Sequence, residues 1–256
     1  MTSRLCLLTA VLLAAACGRG GFGAVQDELA ECWPACGGDD DAPPRPFPFS
    51  FDDVAFFAQV TDSAPRELAC ESVADQSITE SGAGSAVVNL CEGGISTMTR
   101  VRIGGGSIGD GYRCRGTATM NIVDSWIESQ GGDPIQCYDP NNVASAALNI
   151  SGTTLSALPG TDSALFIADS YAVDVRLTNV LIRGGSFGLR FHTDGRPGTL
   201  ALDDVCFYGE SDSAHSFDFE PFLLDPNRPT IAAWNNVRWC TIEGEELVVH
   251  GLIPPP

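Results

Sequence analysis

Three histidines are the side chains of this sequence whose ordinary titration falls near neutrality. Two local groupings join a histidine to carboxylates: His192 with Asp194 in FHTDG, and His215 with Asp212, Asp218 and Glu220 in SDSAHSFDFEPF. Each has the parts of a general base and the acid that orients it, because imidazole titrates near neutrality and a carboxylate fixes its tautomer. The plainer reading of both is a histidine at a strand end that hydrogen-bonds its neighbours. With His250, the three histidines are too dispersed for a metal triad. The run IGGGSIGDGYR around Gly104 lacks a P-loop lysine and is read as tight turning between strands.

Charge narrows the partners further. The 256 residues carry 14 Arg, no Lys and 33 Asp plus Glu, for a net charge of -19. Nucleic acid is excluded as a partner, since phosphate contacts require a dense set of cations. The triple aspartate Asp39 to Asp41 lacks the twelve-position pattern of a calcium-binding EF-hand and reads as solvated charge. Cys32 and Cys36 in CWPAC find no second pair or nearby histidine to complete a zinc site. No metal or cofactor is expected from these residues. At 44% hydrophobic and 18% charged, the chain has enough apolar side chain to build a core.

Residues 1–16, MTSRLCLLTAVLLAAA, place one arginine before an apolar run too short to cross a bilayer, as in a secretion signal. The following LLAAAC resembles the lipobox of bacterial lipoproteins. That resemblance implies lipidation at Cys17, several acyl chains and stable attachment to a lipid bilayer; Gly18, rather than Asp, favours the outer membrane. Simple secretion, with Cys17 a thiol or disulfide partner, is the alternative. Residues 17–48 are rich in Gly, Pro and Asp and read as a tether. With Cys6 in the signal and Cys17 lipidated, eight cysteines remain as disulfide candidates: Cys32, Cys36, Cys70, Cys91, Cys114, Cys137, Cys206 and Cys240.

Helix periodicity is poor beyond Phe49, whereas short apolar and β-branched runs recur between Gly, Asn and Asp turns. TRVRIGGG, MNIVDSWIES, LNISGTTLSA, VRLTNVLIRG, LALDDVCFYG and AAWNNVRWCTIEG align on Ile103, Ile127, Leu155, Ile182, Phe207 and Trp239, with steps of 24 to 32 residues. A second series interleaves with the first, at Tyr112, Ile135, Leu165, Leu189, Phe217 and Leu247. Two ordered series at a coil-sized interval predict an all-β parallel solenoid of six or seven rungs over residues 85–252. An irregular cap or first rung is expected at 49–84, and a proline-rich tail at 253–256 ends the stack. A jelly-roll sandwich is the competing fold. Cys91, Cys114 and Cys137 are spaced by 23 and 23 residues, so one adjacent pair fits between neighbouring rungs, leaving the third a partner such as Cys70; Cys206 and Cys240 suit a second bridge.

The rung pattern, with GGDPIQCYD followed by LNISGTTL, resembles the right-handed parallel β-helix of the pectate-lyase-like superfamily. The resemblance implies, as one reading, a polysaccharide lyase with an arginine base, for which Arg113, Arg183, Arg190 and Arg196 are candidates, and with calcium held by acids such as Asp133, Asp139, Asp169, Asp174, Asp194 or Asp204. None matches a catalytic motif residue by residue. A non-catalytic alternative uses the rings of Trp126, Tyr138, Phe166, Phe187, Tyr208, Trp234 and Trp239: two or three exposed on one lateral face beside Asp or Arg would bind sugar. The leading expectation is therefore a lipid-anchored envelope protein with a non-enzymatic β-helix scaffold that contacts a polysaccharide or an envelope protein. A carbohydrate-active enzyme and a purely structural protein are the alternatives.

Overall fold

Alternation of apolar and polar residues puts one side of each strand inside the molecule, and parallel stacking of successive strands turns those residues into continuous columns. The computed structural model describes residues 61–256 apart from 80–83, 105–108, 130, 139–144, 159, 162, 170, 194–197, 211–213, 225–227 and 245. Cys17, Cys32 and Cys36, the signal and the tether lie outside the described residues, as do Asp139, Asp194, Arg196 and Asp212.

The described chain is all-β, a stack of parallel coils. One sheet has eleven strands: β1 (Thr61–Ser63), β3 (Ser72–Ile78), β5 (Ile95–Ile103), β7 (Thr119–Val123), β8 (Trp126–Ser129), β10 (Ser145–Ala157), β12 (Ala172–Arg183), β14 (Thr199–Tyr208), β16 (Thr230–Asn235), β17 (Arg238–Glu243) and β18 (Glu246–Leu252). The other has seven, in the order β2 (Arg66–Leu68), β4 (Val87–Asn89), β6 (Tyr112–Cys114), β9 (Ile135–Cys137), β11 (Ser163–Asp169), β13 (Phe187–Thr193) and β15 (Glu220–Leu224).

The first predicted column holds at every step: Ile103, Ile127, Leu155, Ile182, Phe207 and Trp239 are successive register partners, and all are buried. Burying an aliphatic side chain of this size contributes about 1.5–3 kcal/mol before entropy is counted. The second column holds from Tyr112 through Ile135 and Leu165 to Leu189. Its next member is Phe222, not Phe217. Phe217 is buried nonetheless, edge-on to Phe207, which also meets Phe222 at 4.7 Å between centroids. Leu247 leaves the series altogether, because β18 runs antiparallel to β17. The regular coil amounts to about four turns rather than the six or seven expected. At the C-terminal end the last expected rung is a reversed strand. There Pro221 sits in β15, the final strand of its ladder, where a missing N–H is tolerated, and Trp234 donates its indole N–H to the Ile253 carbonyl at 2.8 Å.

Each coil turns a corner within the large sheet, and it does so at one residue with positive φ: Asp75, Arg100, Asp124, Gly152, Asn179, Asp204 and Asn236. Flanking register pairs place these seven one above another. Asp, Asn and Gly tolerate this left-handed conformation best. Arg100 is the exception, and its guanidinium grips Asp75 with Nε to Oδ1 at 2.6 Å and Nη2 to Oδ2 at 2.7 Å. Just past the corner, hydroxyls complete the ladder: Ser125 Oγ accepts the Val101 N–H at 3.1 Å, and Thr153 Oγ1 accepts the Ser125 N–H at 3.2 Å.

Three disulfides tie the stack. Cys70 bonds Cys91, Cys114 bonds its register partner Cys137, and Cys206 bonds Cys240. Their loops of 21 to 34 residues correspond to about 3–4 kcal/mol each in a chain-entropy treatment.

Two outcomes follow for stability. A Cβ at Gly184 (φ 72°) would stand 1.8 Å from the Ala157 carbonyl oxygen, whereas Gly244 (φ 67°) has nothing within 4 Å. In urea titrations Gly184→Ala will lose at least about 3 kcal/mol and Gly244→Ala about 1 kcal/mol. Arg100 holds the Asp75 carboxyl below its usual value of 3.8, so this pair adds stability above that pH and loses it as pH falls through the lowered value. The melting-temperature gap between wild type and Asp75→Asn will therefore be present at pH 7 and close under strongly acidic conditions.

Candidate functional site

On the seven-stranded sheet, Cys114, Cys137, Ile167 and Phe191 point inward and are buried. Their neighbours in sequence consequently face outward, and the register aligns them across coils. Arg113, Gln136, Phe166 and Arg190 form one outer column. Arg115 and Tyr138, which follow the paired Cys114 and Cys137, begin the next, with His192 opposite Ala168 farther along. All are half-buried except His192, which is exposed, and Ala168, which is buried.

Cations and rings meet within this ridge. The Arg115 guanidinium lies 4.7 Å from the Tyr138 ring centroid and donates through Nη2 to its hydroxyl. Arg113 approaches the same ring at 5.4 Å, and Arg190 lies 4.4 Å from the Phe166 centroid. Such contacts hold long side chains in one rotamer. Tyr138 and Phe166 are the two rings, among the seven singled out from sequence, that lie beside arginines on the outer face of the seven-stranded sheet. Trp126 and Trp239 are core residues, Trp234 is tied to the C-terminal segment, Tyr208 contacts Arg183 and Phe187 packs on Phe219.

Beneath the ridge is a buried polar ladder. Asp110 accepts hydrogen bonds from Arg113 Nε (2.9 Å) and Nη2 on one carboxylate oxygen, and from the Asp133 backbone N–H on the other (3.1 Å). One coil on, Asp133 accepts the Ser163 N–H at 2.7 Å and the Gln136 side-chain amide at 3.3 Å. Both carboxylates thus serve backbone donors that the turn between the sheets leaves off the strand ladder.

The candidate acid–base residues are distributed differently. Arg190 and His192 lie two apart on the outer face of β13. His215 accepts the Phe217 N–H through Nδ1 at 3.1 Å and stacks on Trp239, with centroids 5.4 Å apart and planes 7° from parallel. Asp218 instead accepts the Gly160 N–H at 3.0 Å. His215 and Asp218 therefore have separate partners. Elsewhere Asp174 holds Thr199, and Asp204 holds Asn236 and Arg238. Among the described residues no three His, Cys, Asp or Glu side chains converge to hold a metal ion.

Sequence reasoning missed Arg115 and Asp110. The signal was present in the 23-residue interval: it aligns Arg115 with Tyr138 and Asp110 with Asp133 as it aligns Cys114 with Cys137.

Comparison of the chain with family models, curated proteins and solved structures finds no match.

Tyr138 is the ridge's shared contact. Tyr138→Ala will lower stability by about 1–2 kcal/mol because both guanidiniums lose their platform, and Tyr138→Phe by less because only the hydroxyl acceptor goes. Urea denaturation of the two variants checks the order.

Proposed function

We propose that this protein is an exported, lipid-anchored β-solenoid that binds glycan through the outer face of its seven-stranded sheet and catalyses no reaction. The observation that carries the reading is the ridge of Arg113, Arg115, Tyr138, Phe166 and Arg190, in which guanidinium groups are packed on rings across successive coils. Sugar rings offer apolar C–H faces and rims of hydroxyl groups, which suit aromatic surfaces flanked by fixed donors. A flat strand face repeats such contacts along a chain without enclosing a reacting bond. The coil spacing further supports kinship with right-handed helices of the pectate-lyase-like type, and LLAAAC supports lipidation at Cys17 and an outer-membrane address.

One experiment addresses both halves. On a glycan array the protein lacking residues 1–16 will bind a restricted set of polysaccharides without releasing reducing ends, and the double variant Tyr138→Ala/Phe166→Ala will bind about tenfold more weakly. Expressed full-length in a bacterium that processes lipoproteins, wild type will fractionate with membranes and Cys17→Ala will not. Uniform binding by wild type and the double variant would sink the ridge, and soluble wild type would sink the anchor.

A further inference from the structure

The ridge combines arginines with a chain whose overall charge is -19. An arginine on a binding face ordinarily suggests an anionic ligand, but here the charge of Arg113 is already answered. Its Nε and Nη2 both donate to a single oxygen of Asp110, whose side chain is 7% exposed against 28% for the arginine. The carboxylate cannot swing away, because its other oxygen takes the backbone N–H of Asp133 in the next coil. Arg115 spends one donor on the Tyr138 hydroxyl and rests on the ring. A guanidinium paired in this way still presents directed N–H donors, while the net field at its position is that of a compensated pair inside an acidic molecule.

We infer that the Arg113 end of the ridge selects uncharged glycans over uronates, and that Asp110 is the residue that sets this preference by cancelling the charge of Arg113 while engaging two of its five N–H groups. The inference rests on the glycan reading above. A neutral sugar exchanges hydroxyl–water hydrogen bonds for hydroxyl–guanidinium ones and meets no repulsion. A uronate brings its charge against the -19 of the chain with no uncompensated Arg113 to receive it. Asp110 is placed to act through Arg113 and touches no ligand, so it is a positioning residue.

The test compares neutral and carboxylated members of the glycan array, followed by titration of the best neutral oligosaccharide and its uronate counterpart of equal length. For wild type the neutral sugar will bind more tightly, and its affinity will change less than about twofold between roughly 0.05 and 0.5 M salt. Asp110→Asn keeps an acceptor for the Asp133 N–H but leaves Arg113 uncompensated. It will gain about fivefold for the uronate, a gain that weakens with salt and vanishes when Arg113→Gln is added. A wild type that prefers the uronate, or whose affinity for the neutral sugar collapses with salt, overturns the inference and leaves glycan binding standing. An unchanged preference in folded Asp110→Asn overturns the role of Asp110. Absence of binding to every glycan overturns the glycan reading and this inference with it. Should Asp110→Asn fail to fold, Arg113→Gln decides: a loss confined to the neutral sugar supports the inference, and a loss confined to the uronate overturns it.

Discussion

Everything in this structure depends on the hydrogen-bonded register between one coil and the next. A coil alone buries little; stacked, it gives its backbone donors to a neighbour and extends columns such as Ile103, Ile127, Leu155 and Ile182 through the interior. The register requires every coil to turn its corner at the same place. That demand explains the column of Asp75, Arg100, Asp124, Gly152, Asn179, Asp204 and Asn236 at positive φ, and the hydroxyls of Ser125 and Thr153 that stand in for strand partners beyond it. The disulfides add constraint to a register that the backbone has already set, as the alignment of Cys114 with Cys137 illustrates.

The same register produces the ridge. No local motif brings Arg113, Gln136, Phe166 and Arg190 together; they are neighbours only because four coils are in step. The buried carboxylates of Asp110 and Asp133 join the two levels of organisation. Each accepts a backbone N–H from the coil above, and Asp110 also fixes the side chain that reaches the surface. Packing, polar satisfaction and surface chemistry are coupled at these residues.

What could be read from the sequence follows from what a periodic pattern encodes. Spacing revealed the large-sheet column in full, because that corner recurs with a turn-forming residue in nearly every copy. The second column failed after Leu189, where Gly209 and His215 bridge each other and β15 sets Phe222, not Phe217, opposite Leu189. It failed again at Leu247 because apolar alternation is blind to direction, and a reversed strand reads like a parallel one. In the site, Tyr138, Phe166, Arg113 and Arg190 were legible as residue types, but their shared face was not. Asp110 was hidden because a buried aspartate at a turn looks, in one dimension, like any solvated turn residue.

The variable length of the coils has an evolutionary consequence. Steps between equivalent positions range from 24 to 32 residues, yet each step advances by one strand spacing. The differences in length fall outside the paired positions, while the step from strand to strand stays constant. The molecule thereby separates the places where mutation is free to add residues from the places where geometry is measured. A lineage built on such a coil is able to remodel its rims extensively while the graduation of its surface is inherited unchanged.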